Sequence, residues 1–180
     1  MDDNELALYV SAAAEMDAEC ELVGRLLAEG LKSIRWRIRR TPLHQDVNPD
    51  VPAIAASQFY LILLGTDVSA PMGVEWRAAE RAGVAILALR NQEKLPSPAA
   101  TYFARNMGIT WQDYKTPDDF VIKFERALLT RLINGTPGYG LDLTTIEDLA
   151  SRLRALETPA HQGDDQRRGA GQGGIIFAVR

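Results

Sequence analysis

Two runs constrain this chain more than anything else in it. Phe59-Tyr60-Leu61-Ile62-Leu63-Leu64 and Val84-Ala85-Ile86-Leu87-Ala88-Leu89 are apolar at every position, without alternation. A strand that is apolar on both faces must be covered on both faces, and helices crossing between parallel strands supply that cover. The segment between the two runs has the form of such a crossover. Gly65 to Ser69 is a loop, Ser69-Ala70-Pro71 is an N-cap followed by proline in a first helical turn, and Gly83 stops a helix that reaches about Ala82.

The same alternation extends in both directions. Leu6 to Val10 is a short apolar strand ending at Ser11, and from Glu15 to about Gly30 the residues Met16, Cys20, Val23 and Leu27 recur at helical spacing. Ile34, Trp36 and Ile38 alternate with Arg35, Arg37 and Arg39, which predicts an edge strand with one dry and one wet face. A short helical stretch at Ala53 to Ser57 precedes the first of the two apolar runs. After the second come a helix from Pro98 to Met107, a brief strand at Ile109 to Trp111, and a long helix that Thr116-Pro117-Asp118-Asp119 caps and that ends near Asn134. Alternating strands and helices imply a three-layer α/β sandwich on a five-stranded parallel sheet. With the Arg-rich strand at an edge and the apolar strands inside, the order is 2-1-3-4-5, the flavodoxin-like arrangement. Its ligand crevice lies outside the carboxyl ends of the first and third strands, where the loops starting at Ser11 and Gly65 face each other.

The α/β domain is expected over residues 1–134. A breaker cluster, Asn134 to Gly140, opens a helical extension over 135–157, with an amphipathic helix from Thr144 to Leu156. Residues 158–180 are a glycine-rich polar linker leading to Ile175-Ile176-Phe177-Ala178-Val179, the start of a further strand or domain.

Composition narrows the function. Against 24 acidic residues stand 20 basic ones, a net charge of −4, so no nucleic-acid partner is expected. The single Cys20 excludes a disulfide framework, a Cys-rich zinc site and a CxxC pair, and suits a reducing compartment. An acidic N-terminus and the lack of a long apolar run point to a cytoplasmic protein without a membrane partner. No metal and no cofactor are expected. The chain has no GxGxxG, GxxxxGK[ST] or GxSxG, and His44 and His161 lie in loop-like segments away from any triad pattern. A phosphoacceptor receiver domain needs acidic residues after the first strand, where this chain has Ser11-Ala12-Ala13-Ala14.

One carboxylate stands out. Glu75 falls in the early turns of the helix entered from the third strand, near the expected crevice, with Ala78 and Ala79 one turn on. The strand ending in Gly65, the loop with Ser69, the Glu75-x-x-x-Ala79-x-x-x-Gly83 spacing and the apolar strand after it resemble the TIR-like and nucleoside 2-deoxyribosyltransferase-like superfamily. The likeness is closest to poorly characterised bacterial TIR-like domains at the N-terminus of multidomain signalling or defence NTPases. Tyr9-Val10-Ser11 and the acidic stretch Glu15 to Glu21 are similar to that family's first strand and helix, so the resemblance spans about residues 6–134. It implies a catalytic role for Glu75 at a ribosyl C1′, and the expected substrate contacts around it are Ser11, Ala12, Gly65, Thr66, Ser69 and Trp76. The chain departs from the deoxyribosyltransferases at Ser57-Gln58-Phe59 and Gly83-Val84-Ala85, and it lacks their opening Gly-Pro loop.

Two functions therefore stand side by side. One is an interaction and assembly module of a larger signalling or defence protein, which self-associates or engages a domain following the C-terminus. The alternative is an enzyme that uses Glu75 to hydrolyse the N-glycosidic bond of NAD or another nucleotide. Without the resemblance, Glu75 is an ordinary helix glutamate, Trp76 and Tyr60 are core or rim aromatics, and Ser11 and Ser69 are caps.

Overall fold

Burial of all six residues of the Phe59–Leu64 strand sets the architecture. The computed structural model describes residues 5–42, 48–135 and 138–158. The strands are β1 (Glu5–Ala12), β2 (Arg35–Arg40), β3 (Phe59–Leu64), β4 (Ala85–Asn91) and β5 (Gln112–Tyr114). The helices are α1 (Asp17–Arg25), α2 (Val51–Ala55), α3 (Ala70–Ala82), α4 (Pro98–Asn106), α5 (Pro117–Asn134) and α6 (Leu143–Glu157). The sheet is parallel throughout, in the order β2-β1-β3-β4-β5 expected from the sequence.

Strand alternation divides the interior in two. Leu8 and Val10 of β1, with Phe59, Leu61 and Leu63 of β3, meet Val23 of α1, Phe124 and Leu128 of α5 and Leu149 of α6. On the other face, Tyr9, Tyr60 and Ile62 meet Ile54 of α2, Met72, Trp76 and Ala79 of α3, and Phe103 of α4. Helix α6 shares the first of these cores with the sheet. Arg152 of α6 bonds the buried Glu125 of α5 and donates to the Gly30 carbonyl at 3.0 Å.

Three local expectations are corrected. The helix predicted from Glu15 to Gly30 is split into a 3₁₀ turn at Ala14–Met16, α1, and a wider π turn at Leu26–Gly30. The dry face of β2 is incomplete. Ile34 is buried and Trp36 half-buried against Phe59, but Ile38 is 42% exposed because β2 is the sheet's edge and the core ends before it. Its arginines meet acids instead: Arg37 with Glu5, Arg39 with Asp50 and Arg40 with Asp17.

The last strand is Gln112–Tyr114, three residues beyond the predicted start. Ile109 and Trp111 pack beside the α3 core, and the Trp111 indole donates to the Ala104 carbonyl at 3.1 Å, which takes them out of the sheet. Polar chemistry holds the strand that does form. Arg90 of β4 donates to both oxygens of Asp113 at 2.8 and 3.1 Å, in the register that pairs the two residues. Expectations for His44, His161 and most of 158–180, including Ile175 to Val179, fall outside the described residues.

The hydrogen bonds from Arg90, joined by one from Gln92, hold the Asp113 carboxyl below its ordinary range although burial pushes it up. A depressed folded value stabilises the protein above the unfolded value of about 3.9, and that stabilisation disappears as pH falls through the folded value. Asp113→Asn should therefore lower stability at pH 7 by about 0.5–1 kcal/mol, the scale of a partly exposed pair. Urea unfolding at neutral pH and near pH ~2 checks this, with the gap from wild type closing at the acid end.

Candidate functional site

Helix α3 packs against the sheet through Met72, Glu75, Trp76 and Ala79, an ordinary helical stripe with a carboxylate set into it. Glu75 has no exposed surface. A carboxylate only accepts hydrogen bonds, so burial is tolerable where donors converge on it. Three hydroxyls do. Tyr9 donates to Oε1 at 2.8 Å, while Ser11 and Thr41 donate to Oε2 at 2.5 and 2.7 Å.

Each donor comes from a different constraint. Tyr9 and Ser11 are two apart on β1, so their side chains leave the same face of the sheet, toward α3. Thr41 follows the last residue of β2. Its amide donates to the Val10 carbonyl at 3.0 Å, continuing the ladder, and its Oγ1 accepts from the Ala12 amide at 3.1 Å. Thr41 thus ties the end of β1 to Glu75.

Aromatic rings surround this cluster. Tyr9 and Tyr60, paired across β1 and β3, stack with centroids 6.1 Å apart, and Trp76 lies against Tyr60 at 6.3 Å. Burial, and then the charge of Glu75, push the Tyr9 phenol above its ordinary range, and burial does the same for Tyr60 against a smaller lowering by Ser11, so both phenols keep their protons. Among the described residues, no Lys or Arg forms an ion pair with Glu75.

Next to the cluster is a cavity of about 490 Å³, lined by Ala12, Ala13 and Ala14 after β1, Thr41 and Pro42 after β2, Asn48 and Pro49, and Ser69, Ala70, Pro71 and Val74 of the α3 entry. Of the three donors to Glu75, only Thr41 lines it. The Ser69 hydroxyl, also in the wall, is buried and lacks a partner; it does not cap α3.

The residues singled out in the sequence separate into three places. Ser11 touches Glu75, and Ala12 and Ser69 line the cavity. Trp76 is turned into the core at 4% exposure. Gly65 and Thr66 contact Glu15, whose Oε1 accepts from the Thr66 amide at 2.5 Å and the Asp67 amide at 3.2 Å. Glu75 itself lies behind the cavity wall, buried, rather than open to the crevice expected beside it.

Tyr9 and Thr41 were missing from the expected site. The sequence holds a signal for Tyr9, because it and Ser11 place two hydroxyls on one face of an otherwise apolar strand. Thr41 carries no such signal, since its role depends on how the chain leaves β2. Among the described residues, no group of three or more His, Cys, Asp or Glu is placed to hold a metal ion. No described helix is long and apolar enough to cross a membrane.

Thr41→Val would remove one donor from Glu75 and leave the Ala12 amide unpaired. The expected loss is about 1–3 kcal/mol in chemical denaturation, with Thr41→Ser recovering most of it.

No protein-family model matches the sequence, and no curated protein matches it. Among solved structures, the chain is similar to a CMP N-glycosidase from Clostridium botulinum, at 18% identity and a TM-score of 0.44, over 65% of this chain and 97% of that one. It is also similar to the product of the first open reading frame of a transposon from Sulfolobus solfataricus P2, at 10% identity and a TM-score of 0.27, over 86% of this chain and 99% of that one.

Proposed function

We propose that this chain hydrolyses the N-glycosidic bond of a nucleotide, with Glu75 acting at the ribosyl C1′. The observation that carries the reading is a carboxylate without exposed surface, held by three hydroxyls, directly behind a cavity of about 490 Å³. A domain that needed only to pack would be served as well by an apolar residue at this position of the α3 stripe.

In the proposed reaction the sugar enters the cavity and Thr41, the one of Glu75's three donors that lines it, turns aside to uncover Glu75 Oε2. Tyr9 and Ser11 keep the carboxylate oriented. Oε2 bonds to C1′ as the C1′–N bond breaks, and the electron pair of that bond leaves with the base. Water then cleaves the glycosyl ester, placing its hydroxyl on C1′, restoring the carboxylate and releasing one proton.

The leaving group decides how much acid help is needed. Nicotinamide departs from NAD⁺ as a neutral molecule, because the electron pair cancels the pyridinium charge. A purine or pyrimidine needs a proton as it departs. Among its described residues the cavity wall holds no Asp, Glu, Lys or Arg, so the panel of substrates includes bases of both kinds. Thr41, Asn48 and Ser69 are the polar side chains of that wall.

The test is base release from NAD⁺ and from a panel of nucleoside 5′-monophosphates, followed chromatographically at low and high protein concentration. Glu75→Gln should cut release by about a hundredfold or more. It should also leave the fold intact, because the Ser11 and Thr41 hydroxyls can turn to accept from the Gln amide, and circular dichroism of the variant checks this. Equal release by wild type and Glu75→Gln would eliminate the mechanism. A chain that releases no base from any of these compounds is left with the assembly role that the TIR-like resemblance implies.

A further inference from the structure

The crevice between the ends of β1 and β3 is filled by the protein's own carboxylate. Consecutive amides of Thr66 and Asp67 converge on Glu15 Oε1, and the Lys94 ammonium stands 3.9 Å from Oε2. Two successive N–H groups aimed at one point form a concave anion cradle, and a nearby ammonium deepens it. The loop around it is fixed independently of Glu15. Ser97, the N-cap of α4, donates its amide to the Thr66 carbonyl at 2.6 Å and its hydroxyl to Asp67 Oδ1 at 2.7 Å. The Asp67 carboxylate also accepts from the Val68 amide at 2.8 Å.

Glu15 is an occupant that can leave. Its side chain is 32% exposed, and it belongs to the short 3₁₀ turn before α1, so it can swing out without breaking that helix. Its close approach depends on Gly65, where a Cβ would come within 2.5 Å of Oε1. The cradle borders the Glu75 cavity on both strands of chain: Ala13 and Ala14 line the cavity just before Glu15, and Ser69 lines it just beyond Asp67.

We propose that the Thr66 and Asp67 amides and Lys94 form an oxyanion subsite at the rim of the cavity, that Glu15 is its resident occupant, and that the phosphoryl group of a bound nucleotide displaces it. Only the last clause rests on the glycosidic-bond reading. Glu15 then competes with ligand, so the resting protein is held in a low-affinity state.

The test titrates inorganic phosphate into the ¹⁵N-labelled full chain as wild type, Glu15→Ala, Glu15→Gln and the double variant Glu15→Ala with Lys94→Ala. Removing Glu15 should tighten phosphate binding about tenfold or more. The Thr66 and Asp67 amide resonances should move on binding, and the gain should fall when Lys94 is also removed. Binding no tighter than wild type, or shifts confined to other amides, would overturn the proposal. Should Glu15→Ala fail to fold, Glu15→Gln keeps an acceptor oxygen, loses the charge and decides by the same two readings. Phosphate has no glycosidic bond, so this result stands or falls apart from any activity of Glu75.

Discussion

A carboxylate placed where water cannot reach it has to be satisfied by the protein, and that requirement organises the carboxyl end of this sheet. Tyr9 and Ser11 bring β1 to Glu75, Thr41 brings the exit of β2, and Glu75 brings α3. Removing any one hydroxyl leaves a buried charge short of a bond, which costs more than the bond would contribute on an exposed surface. The three segments that wall the cavity are held together by the same oxygen atoms.

Two glutamates at this edge do different work. Glu75 is enclosed by hydroxyls on the α3 side of the sheet. Glu15 is partly exposed and bound by backbone amides of the β3–α3 loop. Hydroxyls can rotate away from a carboxylate as a substrate arrives, whereas backbone amides stay fixed and await another anion. That contrast is the physical basis of the two different proposals made for them, covalent chemistry at Glu75 and anion exchange at Glu15.

The layer order was legible because it follows from burial alone. Phe59 to Leu64 and the run ending at Leu89 had to be interior, and the Arg35, Arg37 and Arg39 strand had to be at an edge. β5 was not legible in the same way. Its residues Gln112, Asp113 and Tyr114 carry no apolar pattern, and the bonds that hold them, Arg90 to Asp113 and Tyr114 to Glu19, join residues far apart in the chain. Ile109 and Trp111 look like a strand because they are apolar, yet burial beside α3 satisfies them equally well.

A parallel five-stranded sheet, its strand order, and a glutamate on the helix after the third strand can all be read from the amino-acid pattern. Those features depend on local periodicity and on which segments avoid water. That Glu75 faces inward to three hydroxyls, that Thr41 is one of them, and that Gly65 and Thr66 contact Glu15 instead emerges once the segments are packed together. The physical reason is that hydrogen bonds to a buried charge are set by distances between segments 34 to 66 residues apart, which no local pattern encodes.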